Sequence, residues 1–284
     1  MTPNEIFLLN KTQSLVKNYQ HFLIAGAVGL LLLLGATLFV KGVIEKHEDG
    51  AWTRLQQTGT LRVGTDASYP PFETLDGAGN IIGFDADLSY AIGEQLGLHV
   101  VLVNITYDGL SDALLSSQVD VLISALTPPP QLEGRARFSM PYFNAGDVLV
   151  IPDGSSLKAM GDLEGHTLAV EYGSNGDVEA RKWERRLSDL EVLRYPTADV
   201  AIGAVTNGEA DAALTDGIAA RLAVSQHSNL VIESYVTETL FVVVLPKDGV
   251  TLEQEVNRIL DDMMKDGTIE KLTEKWFGAQ SNTG

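Results

Sequence analysis

From residue 60 onward the chain alternates short β-rich apolar runs with segments whose apolar positions recur every three or four residues, the pattern of α/β units. Residues 61–65 (LRVGT) predict a strand, and 85–97 a helix with Leu88, Ala91, Ile92 and Leu96 along one face. A strand over 99–105, a helix over 108–118 and a nearly all-apolar strand over 119–126 follow, the last of a kind buried on both faces. After Pro128, Pro129 and Pro130 the alternation begins again, with strand 167–173, helix 176–187, strand 190–195, helix 198–207 ended by Asn207-Gly208, and strand 210–216. Residues 239–246 predict a final strand, and Thr251 with Gln254 a capping box for a helix ending at Asp266-Gly267. Two α/β lobes joined by extended segments predict a cleft, the usual seat of a ligand.

Ahead of this pattern, residues 22–40 form an uncharged apolar stretch of 19, close to the roughly 20 a helix needs to cross a bilayer. They predict a single N-terminal transmembrane helix, preceded by a short tail (1–21) and followed by a linker (41–55). The protein is then expected at the cell membrane as a single-pass protein, its binding domain on the extracytoplasmic side. A cleaved signal peptide is the rival reading, but its apolar core runs about 7–15 residues, and no A-x-A-like site follows the stretch before Lys41. Lys11 and Lys17 before the stretch and Lys41 and Lys46 after it give little charge asymmetry to orient it. With no cysteine, attachment through a lipid-modified thiol is excluded.

Charge narrows the function classes. Residues 1–50 hold four basic and four acidic residues, so the whole net charge of −18 belongs to residues 51–284, with 16 basic and 34 acidic side chains. Nucleic acid as a partner is excluded, because it requires a basic face. The five histidines show no metal-ligand spacing. No H-E-x-x-H, G-x-S-x-G or glycine-rich phosphate loop occurs, so neither a cofactor nor catalysis is expected.

Seven stretches, in order and in register, carry a resemblance: VGTDASYPPFE (63–73), GFDADLSYAI (83–92), VDVLISALT (119–127), FSMPYF (138–143), DLEGHTLAVEYGSN (162–175), GEADAALTD (208–216) and DGTIEKLTEKWFG (266–278). Together the region 56–279 resembles the family 3 extracellular solute-binding proteins, the polar-amino-acid receptors of ABC importers. The resemblance implies a two-lobed periplasmic-binding-protein type II fold. Lobe 1 would comprise residues 56–146 and 245–280, and lobe 2 residues 147–244, with two crossing strands as the hinge. It implies jaws that close on a small polar solute touching both lobes, and an ABC permease in the membrane as partner.

The family holds an α-amino acid by an aspartate on the ammonium and an arginine on the carboxylate. By resemblance Asp216 is the ammonium-binding acid, although its place before Gly217 equally suits a helix N-cap. Ser174 and Asn175 follow a strand and open a helix whose free N–H groups suit an anion, with simple capping as the alternative. Thr127 and the backbone at Ala125 match polar contacts at the end of the buried strand. Tyr69 and Tyr107 fall at the aromatic walls, and Asp66 and Glu171 at positions that meet the solute's side chain.

One family feature is missing. Counting back from Phe138, the clamp arginine falls on Leu132, whose side chain cannot imitate a two-pronged guanidinium. The three prolines therefore read as a rebuilt cleft rim, with Pro130 opening a short helix. Either Arg135 or Arg137 restores the clamp, or the cleft presents Asp66, Glu171 and Asp216 unpaired, which predicts an amine or cationic solute. Two rival functions stand beside transport: a cyclohexadienyl-dehydratase-like enzyme, with Glu171 as its acid, and a sensing module for a membrane partner.

Overall fold

The computed structural model describes residues 29–38 and 49–278. Residues 29–38 form a helix, α1, considered by itself. The expected membrane location is corrected here. Among the described residues no helix is long and apolar enough to cross a membrane. Residues 22–28 and 39–40 of the expected span lie outside the described residues.

Residues 51–278 build two five-stranded sheets, each covered on both faces. After helix α2 (Gly50–Thr58) come β1 (Thr60–Thr65), the short hairpin β2 (Thr74–Leu75) and β3 (Ile81–Ile82), α3 (Phe84–Leu96), β4 (His99–Asn104), α4 (Tyr107–Leu115) and β5 (Val121–Leu122). A single helical turn at Pro130–Leu132, opened by Pro130, leads into β6 (Ala136–Asn144). The chain then crosses to β7 (Asp147–Pro152), β8 (Thr167–Glu171), α5 (Asn175–Glu184), β9 (Glu191–Tyr195), α6 (Ala198–Thr206), β10 (Ala212–Asp216), α7 (Gly217–Gln226) and β11 (Leu230–Tyr235). It returns through β12 (Leu240–Pro246) and ends in α8 (Val250–Lys265) and α9 (Thr268–Phe277).

The first sheet has the order β4-β1-β5-β12-β6 and the second β11-β7-β10-β8-β9. Strands β4, β1 and β5 run parallel, and β12 antiparallel to β5 and β6, so a strand made after the whole second sheet lies inside the first. The expected lobe boundary at 245 falls within β12. Period-two alternation explains why the central strands are apolar throughout. In the first sheet Val63, Val121 and Val243 face a core with α3, α8 and α9, while Leu122, Val242 and Val244 face one with α4. In the second, Val148 and Ala213 face α6 and α7, and Leu149 and Leu214 face α5.

Two expectations about local structure need revision. The strand predicted over 119–126 pairs only at Val121–Leu122, because Ala125 takes a left-handed conformation (φ 44°) that turns the chain out of the sheet. Helix α8 begins at Val250 with Gly249 as N-cap, so Thr251 lies inside the helix and does not act as the cap of the predicted box.

The two sheets are joined at two crossings, Ala145–Gly146 between β6 and β7 and residues 236–239 between β11 and β12. They are laced to each other. Ala145 N–H donates to the Thr239 carbonyl (2.8 Å), Asn144 Oδ1 accepts from both Gly146 N–H (2.9 Å) and Thr239 N–H (3.0 Å), and Thr237 Oγ1 accepts from Asp147 N–H (2.8 Å). Arg221 of α7 lies over the Phe143 ring at 4.8 Å and donates to the Tyr235 hydroxyl, which in turn donates to the Asn144 carbonyl at 3.3 Å.

Candidate functional site

A cavity of about 470 Å³ opens between the two sheets beside these crossings. Its wall takes Asp66, Ser68, Tyr69, Glu73, Tyr107, Ser124 and Ala125 from the first sheet's side and Asn175, Asp216 and Ile218 from the second, with Ala145, Thr239 and Phe241 at the crossings. Six of the nine residues expected from the sequence thus lie together: Asp66, Tyr69, Tyr107, Ala125, Asn175 and Asp216. Thr127, Glu171 and Ser174 are not part of the wall. Thr127 is exposed where the chain leaves β5. Ser174 spends its hydroxyl locally, donating to the Glu171 carbonyl (2.8 Å) and accepting from Asp177 N–H (3.1 Å) as the cap of α5.

The floor is aromatic. Phe72 is fully buried among Phe84, Phe143, Phe241 and Phe277, with centroids 5.0–5.8 Å away in edge-on geometry, and Tyr69 stacks on it at 5.7 Å to present its outer face to the cavity. Each such ring withdrawn from water stabilises the fold by roughly 1.5–3 kcal/mol. Tyr107, at the start of α4, is 63% exposed, and its N–H donates to Asp66 Oδ2 at 2.7 Å, which anchors that carboxylate at the rim.

Asp216 ends β10 and caps α7: its Oδ1 accepts from Ile218 N–H (3.0 Å) and Ala219 N–H (2.9 Å), leaving Oδ2 without a hydrogen bond among the described residues. Its charge reaches across the cavity. Burial pushes the Tyr69 phenol up, and the Asp216 carboxylate adds to the effect. Capping and facing the cavity are compatible in this geometry, because they use different oxygens.

Behind the wall lies a network that sequence reasoning missed. Asp66 N–H donates to Ser124 Oγ (3.0 Å), and Ser124 O–H donates to Glu73 Oε1 (2.7 Å). Asp85 Oδ2 accepts from Ala125 N–H (2.6 Å) and Tyr142 O–H (3.0 Å), which holds Ala125 in its left-handed conformation. Glu73 and Asp85 are each 1% exposed, and their remaining oxygens, Glu73 Oε2 and Asp85 Oδ1, are buried without a hydrogen-bond partner among the described residues. Burial, followed by the neighbouring Asp85 charge, pushes the Glu73 carboxyl far above the usual carboxylate range. Both acids stand in stretches quoted for the resemblance; the available signal was an acid set directly inside an apolar run, PFE, and another at a helix start, GFD.

The rebuilt rim is settled by packing. Leu132 is fully buried with Leu110, Leu114 and Leu122 rather than in the cavity. Arg137 donates to Glu253 (2.9 Å) and to the Lys247 carbonyl (2.9 Å), and Arg135 is exposed. Neither restores a clamp, and no Lys, Arg or His lines the cavity among the described residues.

The model of the bacterial extracellular solute-binding proteins, family 3, matches residues 61–279. The L-cystine-binding protein TcyJ of Escherichia coli is 29% identical over 89% of this chain and 97% of its own. The lysine/arginine/ornithine-binding periplasmic protein of the same species is 27% identical over 77% and 87%. Among solved structures, an ancestral cyclohexadienyl dehydratase superposes with a TM-score of 0.69 at 28% identity, covering 79% of this chain and 95% of that one.

Proposed function

Because the chain belongs to the family 3 bacterial extracellular solute-binding proteins, we propose that it is the receptor of an ABC importer for a cationic or amine-bearing solute, which it hands to a membrane permease. The observation that carries this reading is the composition of the cavity wall: Asp66, Glu73 and Asp216 with Tyr69 and Tyr107, and no cation. Carboxylates closed into a partly dry cleft are costly until a positive charge joins them, and Tyr69 offers that charge a ring face. In this reading Asp216 Oδ2 takes an ammonium, Asp66 a second positive or polar group, and Tyr69 and Tyr107 flank the solute. Asn175 and the backbone at Ala125 supply polar contacts. The relative named for lysine, arginine and ornithine supports a cationic head; the absent clamp at Leu132 favours solutes that do not depend on a carboxylate.

A dehydratase reading draws on the ancestral enzyme's similar fold, but Glu171, the acid it needs, is not in the cavity wall. Calorimetric titration with arginine, lysine, cadaverine, glutamine and glutamate tests the proposal. Micromolar or tighter binding of the cationic solutes is expected; tight glutamate binding without a response to any cation overturns it.

A further inference from the structure

The geometry behind the cavity wall fixes where a proton sits. Ser124 Oγ accepts from Asp66 N–H, so its own proton points to Glu73 Oε1, which can only accept. Asp85 Oδ2 accepts twice, from Ala125 N–H and Tyr142 O–H. The two atoms left, Glu73 Oε2 and Asp85 Oδ1, are buried and have no hydrogen-bond partner among the described residues. One proton on Glu73 Oε2, shared with Asp85 Oδ1, satisfies both, and two adjacent ionised carboxylates in this enclosure would repel one another.

The charged and titratable groups facing Glu73 come from every side of the cleft. They are Asp66 after β1, Tyr69 on its own turn, Asp85 on α3, Tyr142 on β6, and Asp216 across the cavity at the start of α7. All are acids or phenols. Among the described residues no Lys, Arg or His lines the cavity beside Glu73, yet Glu73 forms part of the wall that a solute would touch.

We infer that solute capture is a cation-for-proton exchange: Glu73 keeps its proton while the cavity is empty and releases it to water when a positively charged group of the solute settles against the wall. The inference rests on the cationic reading above. A positive charge within about 4–6 Å favours the ionised carboxylate, and the bond order is conserved: the O–H of Glu73 breaks, its proton leaves to solvent, and an ion pair with the solute replaces it. Affinity for a cationic solute then rises with pH, by up to about tenfold per unit where one full proton is released. A neutral solute shows no such dependence.

Infrared spectroscopy of the free protein tests the first half without any ligand. A protonated-carboxyl band at neutral pH, missing in Glu73→Gln, is expected; a free protein without that band overturns the inference. Arginine, lysine and cadaverine are then added, with calorimetry run in phosphate and in Tris. Loss of the band, with apparent enthalpies that differ between buffers by the heat of one released proton, supports the exchange. Binding of these cations with the band intact and no buffer dependence overturns the exchange but leaves the proposed function standing. Binding of glutamine or glutamate with no response to any cation overturns both, as does no response to any of the five.

Discussion

Gly146 passes the Thr237 carbonyl so closely that a Cβ at Gly146 would lie 2.1 Å from that oxygen. The two crossings therefore touch through bare backbone, and their mutual hydrogen bonds exist only because no side chain intervenes. Gly146→Ala is expected to destabilise the protein by about 1–3 kcal/mol through overpacking, with a lowered denaturant midpoint, and to weaken solute binding as well. Gly161→Ala, where a Cβ meets nothing within 4 Å, serves as the control.

The proton held by Glu73 has a second consequence, for stability. Its carboxyl sits above the ordinary value in the folded chain because of burial and the Asp85 charge. Between the unfolded and folded values the native state binds the extra proton. The stabilisation is therefore complete below about pH 4, where free glutamate is protonated, and declines as pH rises toward the folded value. Denaturant midpoints of wild type and Glu73→Gln should converge or cross as pH is raised from about 5 to 9, wild type losing ground at up to about 1.4 kcal/mol per unit. Parallel curves would show that the carboxyl is ionised throughout.

Asp216 is separable into its two roles. Asn caps helices about as well as Asp, so Asp216→Asn should change the melting temperature little while weakening binding of a cationic solute about 10- to 100-fold. Asp216→Ala should lose binding and also about 1 kcal/mol of stability through the cap. Equal affinity of Asp216→Asn and wild type would leave only the capping role.

Restoring the family's arginine is expected to fail. Leu132 lies in the core beneath the prolines, not in the cavity, so Leu132→Arg places an unpaired charge among Leu110, Leu114 and Leu122. A loss of about 3 kcal/mol or more in thermal or chemical unfolding, with no gain in affinity for glutamate, is the expected outcome.

In the first turn of α5, Asp177 is completely buried, and bonds from Arg181 (2.7 Å), the Gly173 N–H (3.0 Å) and Arg194 (2.8 Å) hold its carboxyl well below the usual range. A depressed carboxylate stabilises the fold above its unfolded value and loses that contribution as pH falls. Asp177→Asn should cost about 2–3 kcal/mol at neutral pH and flatten the acid limb of the unfolding profile.

Much of this architecture was legible because alternation and helical periodicity are direct projections of burial. Strands such as Thr60–Thr65 and helices such as Phe84–Leu96 fall within a residue or two of where the apolar pattern placed them. What escaped was whatever depends on partners distant in sequence. Run 119–126 is apolar enough for a long strand, but Asp85, some 40 residues away, bonds Ala125 N–H and ends the pairing early. Glu73 and Asp85 stand 12 residues apart with nothing in the pattern to pair them; only the fold brings them to one buried point. The stretch 22–40 suggested a span on composition alone, and among the described residues no helix is long and apolar enough to cross a membrane.

The seat of β12 in the middle of the first sheet governs the order of assembly during synthesis. As the chain leaves the ribosome, β1, β4 and β5 emerge early yet lack the strand that joins them to β6, whereas β7 to β11 form a contiguous set that needs nothing later. The topology therefore predicts that vectorial folding starts in the part made second, with protection of β7–β11 amides ahead of β1, β4 and β5 in pulsed hydrogen exchange during refolding as the check, while the amino-terminal strands wait, with an open edge, for the carboxyl-terminal return. An aggregation-protecting chaperone would find its target in that interval, on the unfilled slot between Leu122 and Phe138, which the backbone of Val244 eventually occupies.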